Sequence, residues 1–505
     1  MDYHRRPRRR RDLVRRVSAQ VPAASGRPVG LGIRAAVLWR SGSQIAAQLV
    51  AWSATFVVIR LLDPADYGLF ALTQTVLVLL NLMNGYGIAN ALIRQKEVSA
   101  RELRQALGLL ILLNGGLALL QCILAPTVAD FYNQPAIVDL LRVQSLLYLA
   151  TPFLALPYAI LSRRMDFRRQ AQIRMLASLC GALTAIACAL AGWGIWTLVA
   201  APMVLFYVEA IGMTIVARAW LLPLFRFDGA RELLRYGGAM TLVQGFWFLQ
   251  SQADIFLAGR LFDAHSLGIY ATALFLTQLL VTKFVPPIND VAFAAYSRMH
   301  DGSEKLGPAF LTAARLVLLI AMPFYVGMVL TAEPLIATVL GDKWREAATI
   351  VPILALAMPF MALQILFAPA TNALGRPGIA VRVSIAGGIL LPLAFLVGIG
   401  GGVSGLAWAW VAGMAGLLAV TFILSARALE VTAAQVGTAI APAILGAVAM
   451  AVLLTPLTAI VAPLPAPLQL ILLTGAGGIV YGGWLMLFAR STVKDAIRLM
   501  TDRGS

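Results

Sequence analysis

The stretch Arg60-Leu-Leu-Asp-Pro-Ala-Asp-Tyr-Gly-Leu-Phe-Ala71 decides the fold, because the chain contains it twice. The second copy is Arg260-Leu-Phe-Asp-Ala-His-Ser-Leu-Gly-Ile-Tyr-Ala271. Arg, Leu, Asp, Gly and Ala recur in register without a gap, and Gln44 and Gln244 extend the register upstream. We call this repeated segment, 60–71 and 260–271, the echo. A repeat of this length between apolar runs indicates that one half of the chain duplicates the other, and a duplication determines the architecture.

The composition predicts an all-α polytopic membrane protein. Hydrophobic residues make up 60% of the chain and charged residues 12%, whereas a soluble domain carries about 25% charged residues. Apolar runs long enough to cross a bilayer recur throughout the sequence. The three cysteines all lie within such runs, at spacings that fit neither a metal site nor an exposed disulfide.

The apolar runs predict about fourteen transmembrane helices, each long enough to span roughly 30 Å of hydrocarbon. The predicted segments are 38–61, 67–92, 106–126, 139–161, 171–191, 195–217, 236–260, 267–292, 308–331, 349–373, 378–399, 403–425, 437–461 and 467–489.

The net charge is +17, and the basic residues that produce it alternate along the chain with the predicted membrane crossings. Eleven of the forty basic residues precede residue 41, and every even-numbered loop is basic while the odd-numbered loops are nearly bare. Cytoplasmic loops carry the excess of Lys and Arg in membrane proteins. Both termini are therefore predicted to be cytoplasmic. The segment 1–37 is predicted to be a disordered polybasic tail. Nucleic acid is not an expected partner.

The two echoes divide the chain into lobes. Six helices separate them, so the two halves have the same orientation, as in a parallel repeat about an axis along the membrane normal. The predicted organisation is an N-lobe at 38–235, a C-lobe at 236–426, and helices 13 and 14 with a cytoplasmic tail at 427–505. A central cleft is expected between the two six-helix lobes.

Polar residues within the hydrocarbon mark function by default, because they are costly there. Lys283 and Arg315 either line a cationic cleft that holds phosphate or extend toward the headgroups. The full set of substrate-cleft candidates is Lys283, Arg315, Asp254, Asn81, Asn84 and Asn114.

Two carboxylates are candidates for coupling transport to an ion gradient. Asp254 lies deepest, and the alternative for it is a structural ion pair with Arg260 or with a neighbouring helix. Glu209 either pairs with a nearby arginine or serves in coupling.

The echo itself is predicted to form an outer hinge in each half, or an outer gate that touches substrate. Each aspartate precedes a turn, and each glycine allows close packing where the chain re-enters the membrane. These residues are Arg60, Asp63, Gly68, Arg260, Asp263 and Gly268. Tyr67 and Trp344 are expected among the aromatic residues at the outer membrane boundary.

Catalysis is not expected. The chain lacks the Walker A, HExxH and GxSxG motifs, and none of its three histidines lies in a predicted helix with a partner. Neither a cofactor nor a metal is predicted.

Several motifs together resemble one family. The run Asp254-Ile-Phe-Leu-Ala-Gly-Arg-Leu-Phe-Asp263 and the segment from Gly85 to Arg94 resemble the seventh-to-eighth-helix region and the second helix of Wzx-type bacterial polysaccharide and O-antigen exporters. Arg163-Arg-Met-Asp-Phe-Arg-Arg169 and Ala373-Leu-Gly-Arg-Pro377 resemble two of that family's loops. The likeness covers roughly residues 38–430, in order.

The resemblance implies a flippase of the multidrug/oligosaccharidyl-lipid/polysaccharide exporter superfamily in the bacterial inner membrane. Its expected substrate is an undecaprenyl-diphosphate-linked oligosaccharide, moved by alternating access for exopolysaccharide, capsule or lipopolysaccharide synthesis. Membrane lipids, a polymerase and glycosyltransferases are the expected partners. The alternatives are an ion-coupled small-molecule or drug antiporter of the same superfamily, a lipid II flippase, and an integral polymerase, ligase or acyltransferase.

Overall fold

The computed structural model describes residues 52–95, 98–225, 230–301, 306–488 and 490. The predicted polybasic tail at 1–37, the first part of the first predicted helix and the C-terminal tail lie outside these residues. Gln44 lies outside them as well, and the side chain of Gln244 is not described.

Every regular element in the described part of the chain is helical. The first is the apolar helix α1, Trp52–Leu61. The others, in chain order, are α2 Pro64–Asn81, α3 Tyr86–Arg94, α4 Ala100–Tyr132, α5 Ile137–Gln144, α6 Leu146–Arg163, α7 Phe167–Leu190, α8 Trp196–Ala217, α9 Ala230–Leu261, α10 Ala264–Asp301, α11 Leu306–Leu330, α12 Ala332–Val339, α13 Ala347–Ile365, α14 Phe367–Ala373, α15 Pro377–Gly398, α16 Gly402–Leu429, α17 Ala433–Val461 and α18 Ala466–Phe488.

The multi-pass membrane fold is confirmed. Ten helical stretches of the described chain are long and apolar enough to cross a membrane, and they correspond, to within a few residues at most ends, to eleven of the fourteen predicted segments. Pro377–Leu429 counts as one stretch but holds both α15 and α16. Large apolar side chains point outward from these helices, as Val397 does with 85% exposure and Ile479 with 77%. Such a surface is stable in lipid and would be costly in water.

Three predicted helices are each divided into two. The segment 67–92 breaks between α2 and α3, where Gly85 adopts a φ of 83°. The segment 139–161 divides at Ser145, and 349–373 divides at Leu366. The short helix α12 was not predicted at all and occupies part of the loop after the ninth segment.

Local sequence explains several helix ends. At α4 the Ser99 hydroxyl accepts from the Glu102 amide while the Glu102 carboxylate accepts from the Ser99 amide, which satisfies two otherwise unpaired donors. Thr432 and Gln435 form the same capping box at α17. The helix α8 ends at Arg218 in the left-handed conformation, with a φ of 52°, which turns the chain away from the helix axis.

The chain forms two compact units. Of the described residues, those up to Leu62 and within Val76–Leu242 form unit 1, and those within Asp63–Thr75 and from Val243 onward form unit 2. The core of unit 1 is built by α3, α4, α6 and α8 around side chains such as Leu110 and Met213, both 0% exposed. The core of unit 2 includes aromatic pairs, for example Phe310 with Phe367, whose rings are tilted with 4.6 Å between their centroids.

Candidate functional site

Asp254 is the most deeply buried carboxylate of unit 2, with no exposed surface. It lies on α9, and its Oδ2 accepts hydrogen bonds from the Tyr270 hydroxyl of α10 at 2.7 Å and from Trp410 Nε1 of α16 at 3.0 Å. Trp410 Nε1 also donates to the Tyr270 hydroxyl at 2.7 Å. The three side chains therefore form one closed polar cluster that joins three helices in the interior of unit 2.

The cluster leaves half of the carboxyl group unused. Asp254 Oδ1 is buried and has no hydrogen-bond partner in the described part of the chain. The alternative ion pair with Arg260 is not formed, since Tyr270 and Trp410 are the side chains that Asp254 contacts, and Arg260 is exposed. A buried carboxyl with one oxygen free of hydrogen bonds can hold a proton or a cation. Both interpretations of Asp254 therefore stay open: a structural link between helices, and a site that couples transport to an ion gradient.

The two copies of the echo meet each other at their glycines. A Cβ added to Gly68 would lie 1.9 Å from the carbonyl oxygen of Ala264, and one added to Gly268 would lie 1.7 Å from that of Pro64. The first turns of α2 and α10 are therefore in backbone contact, both within unit 2. The contact is reciprocal, as a two-fold relation between two copies of one segment requires. Only glycine permits it.

Polar and aromatic contacts surround this crossing. Lys343 forms an ion pair with Asp63 at 2.7 Å, and the Tyr67 ring packs edge-on against Trp344 at 5.4 Å between centroids. The Trp344 side chain is fully buried and therefore packs inside the protein. Its position at the outer membrane boundary stays a prediction. His265 Nε2 lies 3.3 Å from Glu346.

Asp263 begins the second copy's helix. Its carboxylate accepts from the His265 and Ser266 amides at 3.1 and 3.3 Å. These bonds satisfy donors of the first turn of α10. Hydrogen bonding from Ser266, through its side chain and its amide, and from the His265 amide lowers the pKa of Asp263. Arg60 and Arg260 are both exposed near the ends of their helices.

The three predicted asparagines come together at the break between α2 and α3. Asn84 Nδ2 donates to Asn81 Oδ1 at 3.2 Å. Asn114 Nδ2, from α4, donates to the Asn84 carbonyl at 3.0 Å and to the Leu110 carbonyl at 2.9 Å. Their amides thus bind carbonyl groups at a helix break inside apolar surroundings, which is one way that a membrane helix tolerates an interruption.

The remaining candidates occupy separate places. Glu209 pairs with Arg174 Nε at 3.1 Å, which is the ion-pair alternative considered for it. Arg315 Nε donates to the Ala439 carbonyl of α17 at 3.3 Å. Lys283 is exposed on α10. The roles of these three residues in binding or coupling stay predictions.

Sequence reasoning missed the two partners of Asp254. Tyr270 had a signal, because it belongs to the echo, where Phe70 is its counterpart. Trp410 had none: it is one of several aromatic residues in an apolar run and lies 156 positions from Asp254. Only the packing of α16 against α9 and α10 within unit 2 brings its indole to the carboxylate.

Comparison with known proteins identifies a family and several relatives. Residues 57–349 match the profile of a family described as "Polysaccharide biosynthesis protein". The chain is 24% identical to the succinoglycan biosynthesis transport protein ExoT of Rhizobium meliloti (strain 1021), over 63% of this chain and 65% of that protein. It is 25% identical to the lipopolysaccharide biosynthesis protein WzxC of Escherichia coli (strain K12), over 59% and 61% respectively. Each match therefore spans less than two thirds of the relative's length.

Solved structures show the same fold. The chain matches a lipid II flippase MurJ, in a form named inward closed, with a TM-score of 0.75, 12% identity and coverage of 90% of this chain and 100% of that one. It also matches an inward-facing multidrug resistance MATE family transporter of the MOP superfamily, with a TM-score of 0.61, 15% identity and coverage of 76% and 94%. Both likenesses concern the fold.

Proposed function

Because the chain belongs to the family of polysaccharide biosynthesis proteins, we propose that it moves a lipid-linked oligosaccharide across the bacterial inner membrane. The observation that carries this proposal is the family match over more than half of the chain. The names of relatives support it, since one is a transport protein of succinoglycan biosynthesis and another a lipopolysaccharide biosynthesis protein. The expected substrate is an undecaprenyl-diphosphate-linked repeat unit, moved by alternating access.

We also propose that both termini are cytoplasmic, on the strength of the alternation of basic and bare loops. A polymerase and glycosyltransferases of the same polysaccharide are the proposed partners. The drug-antiporter alternative receives little support from unit 1, where Glu209 is already paired with Arg174. The likeness to a lipid II flippase supports the fold only.

Reconstitution tests the proposal directly. The purified full chain in phospholipid vesicles is expected to accelerate the transbilayer movement of a polyprenyl-diphosphate-linked oligosaccharide, measured by lectin capture of glycan at the outer surface. A polyprenyl-linked glycan without the diphosphate and a fluorescent phosphatidylcholine are the controls. Equal movement of all three lipids, or no acceleration over protein-free vesicles, would contradict the function.

The basic candidates of unit 2 give the first variant prediction. We expect Lys283→Ala and Arg315→Ala each to slow this movement about tenfold, which is the effect of losing one charge-assisted contact to a phosphate. Arg345→Ala is the matched control, because Arg345 is exposed and pairs only locally with Asp342 at 3.3 Å. The apparent Tm of all three variants is expected to stay near that of the parent. Unchanged transport in both Lys283→Ala and Arg315→Ala would remove these residues from the proposed binding site.

A further inference from the structure

A cleft at one end of unit 1 brings three arginines to an apolar floor. Arg163, Arg164 and Arg218 line it together with apolar side chains that include Ile160 and Leu221. The cleft is partly open to solvent. It lies apart from the candidate sites described above, at the junction of the ends of α6 and α8.

The loop that forms one wall of the cleft is held in place by backbone contacts. The Leu224 amide donates to the Arg104 carbonyl at 2.9 Å, and Arg104 Nε donates to the Leu222 carbonyl at 2.9 Å. A Cβ added to Gly108 would lie 2.6 Å from the Leu224 carbonyl oxygen, so the loop rests directly on α4. The cleft is therefore formed before any ligand arrives.

Two of the arginines are positioned by carbonyl oxygens at helix C-termini. Arg163 Nη1 donates to the Leu92 carbonyl at 2.8 Å and also to that of Gln95. Arg164 Nη1 donates to the Ala217 carbonyl at 3.2 Å, at the end of α8. Basic side chains commonly satisfy the last carbonyls of a helix in this way. For Arg164 this contact uses only part of the guanidinium, which has five N–H donors.

The cationic charge in the cleft is only partly compensated. Arg164 Nε is buried and has no hydrogen-bond partner in the described part of the chain. Burial and the neighbouring Arg218 lower the pKa of the Arg164 guanidinium. Asp166 offsets some of this charge, but its carboxylate also accepts from the Arg169 amide at 3.3 Å and pairs with the Arg169 guanidinium at 3.5 Å. Capping of helix ends explains the contacts of Arg164 Nη1. It does not explain why Arg164 Nε is buried without a partner beside Arg218.

We propose that this cleft binds the phosphate group of an anionic membrane lipid, whose hydrocarbon chain lies along the apolar lining. Guanidinium groups recognise phosphate through paired, charge-assisted hydrogen bonds. The exposed Arg218 can form them directly, and Arg164 lies beside it with one donor unpaired. On the predicted topology the cleft faces the inner leaflet. Two kinds of lipid carry the required chemistry, a resident phospholipid and a polyprenyl diphosphate. The site does not depend on the proposed transport and can be tested without it.

Lipid binding to the full chain, purified in a neutral detergent, tests the proposal. The probes are fluorescent phosphatidylglycerol, with phosphatidylcholine and undecaprenyl diphosphate as unlabelled competitors. We expect saturable binding of phosphatidylglycerol that Arg164→Gln and Arg218→Gln each weaken about tenfold. Arg168→Gln is the matched control: it removes the same charge from an exposed position nearby and should change the affinity less than about twofold.

The competitors identify the source of the phosphate. Displacement by undecaprenyl diphosphate at lower concentration than by unlabelled phosphatidylglycerol would assign the cleft to the substrate headgroup, and the reverse order to a resident phospholipid. Unlabelled phosphatidylglycerol therefore serves as a third competitor. The proposal is overturned if the three variants bind alike, or if phosphatidylcholine competes as well as the two anionic lipids. Because Arg218 is exposed, Arg218→Gln keeps the test valid even if Arg164→Gln folds poorly.

Discussion

Replacing Asp254 with alanine is expected to destabilise the chain by about 3 kcal/mol, because the buried Tyr270 hydroxyl loses its acceptor and Trp410 Nε1 loses one of its two. Both side chains lie in the interior of unit 2 with at most 2% exposure, so water cannot replace the lost carboxylate. The measurement is unfolding of the detergent-purified chain, followed by tryptophan fluorescence. Asp66→Ala, at a less buried position in the first turn of α2, is the comparison and should cost far less.

The variant Asp254→Asn distinguishes a structural role of Asp254 from a role in coupling transport to an ion gradient. Asp254→Asn keeps an oxygen that can accept from Tyr270 and Trp410, so we expect the variant to fold. An amide neither exchanges a proton in the physiological range nor carries the charge that holds a cation. If Asp254 couples transport to an ion gradient, the variant will move substrate without gradient dependence or not at all. Retained dependence in a folded Asp254→Asn protein would leave Asp254 with its structural role alone.

Much of the fold could be predicted because the bilayer constrains sequence so strongly. Apolar runs of sufficient length indicate helices, since no other open structure satisfies its backbone groups in lipid. The breaks at Gly85, Ser145 and Leu366 were missed because each predicted segment is apolar enough as a whole to span the bilayer, although polar residues such as Asn84 and Gln144 stand beside two of the breaks. Hydropathy reports length and burial in lipid, and it does not report where a helix changes direction.

The candidate site was predictable only in part, for a physical reason. Rarity in hydrocarbon identifies Asp254 and Asn114 from sequence, because a buried polar group must be compensated. Which group compensates it depends on how the helices pack. Nothing in the sequence around Trp410 marks its indole as the donor to a particular carboxylate. Trp344 illustrates the same limit, since its fully buried ring contacts Tyr67 inside the protein.

Replacing either glycine of the echo with alanine is expected to force apart the first turns of α2 and α10. The new Cβ would lie 1.9 Å from a carbonyl oxygen at position 68 and 1.7 Å from one at position 268, and a backbone cannot yield as a flexible side chain does. We expect each variant to lose about 1–3 kcal/mol of stability, as in other overpacked sites. Unfolding in detergent measures this loss, and transport in vesicles shows whether the crossing also serves as the predicted outer gate.

Gly437→Ala is the matched control, because a Cβ at that position in α17 meets nothing within 4 Å. There the exchange should be neutral or stabilising by up to about 1 kcal/mol, since alanine favours the helix over glycine. The double variant Gly68→Ala/Gly268→Ala is the sharper test. Both substitutions separate the same pair of backbones, so once one has opened the crossing the second costs little, and the two effects should fall short of their sum. Full additivity would mean that the two copies of the echo do not share one contact.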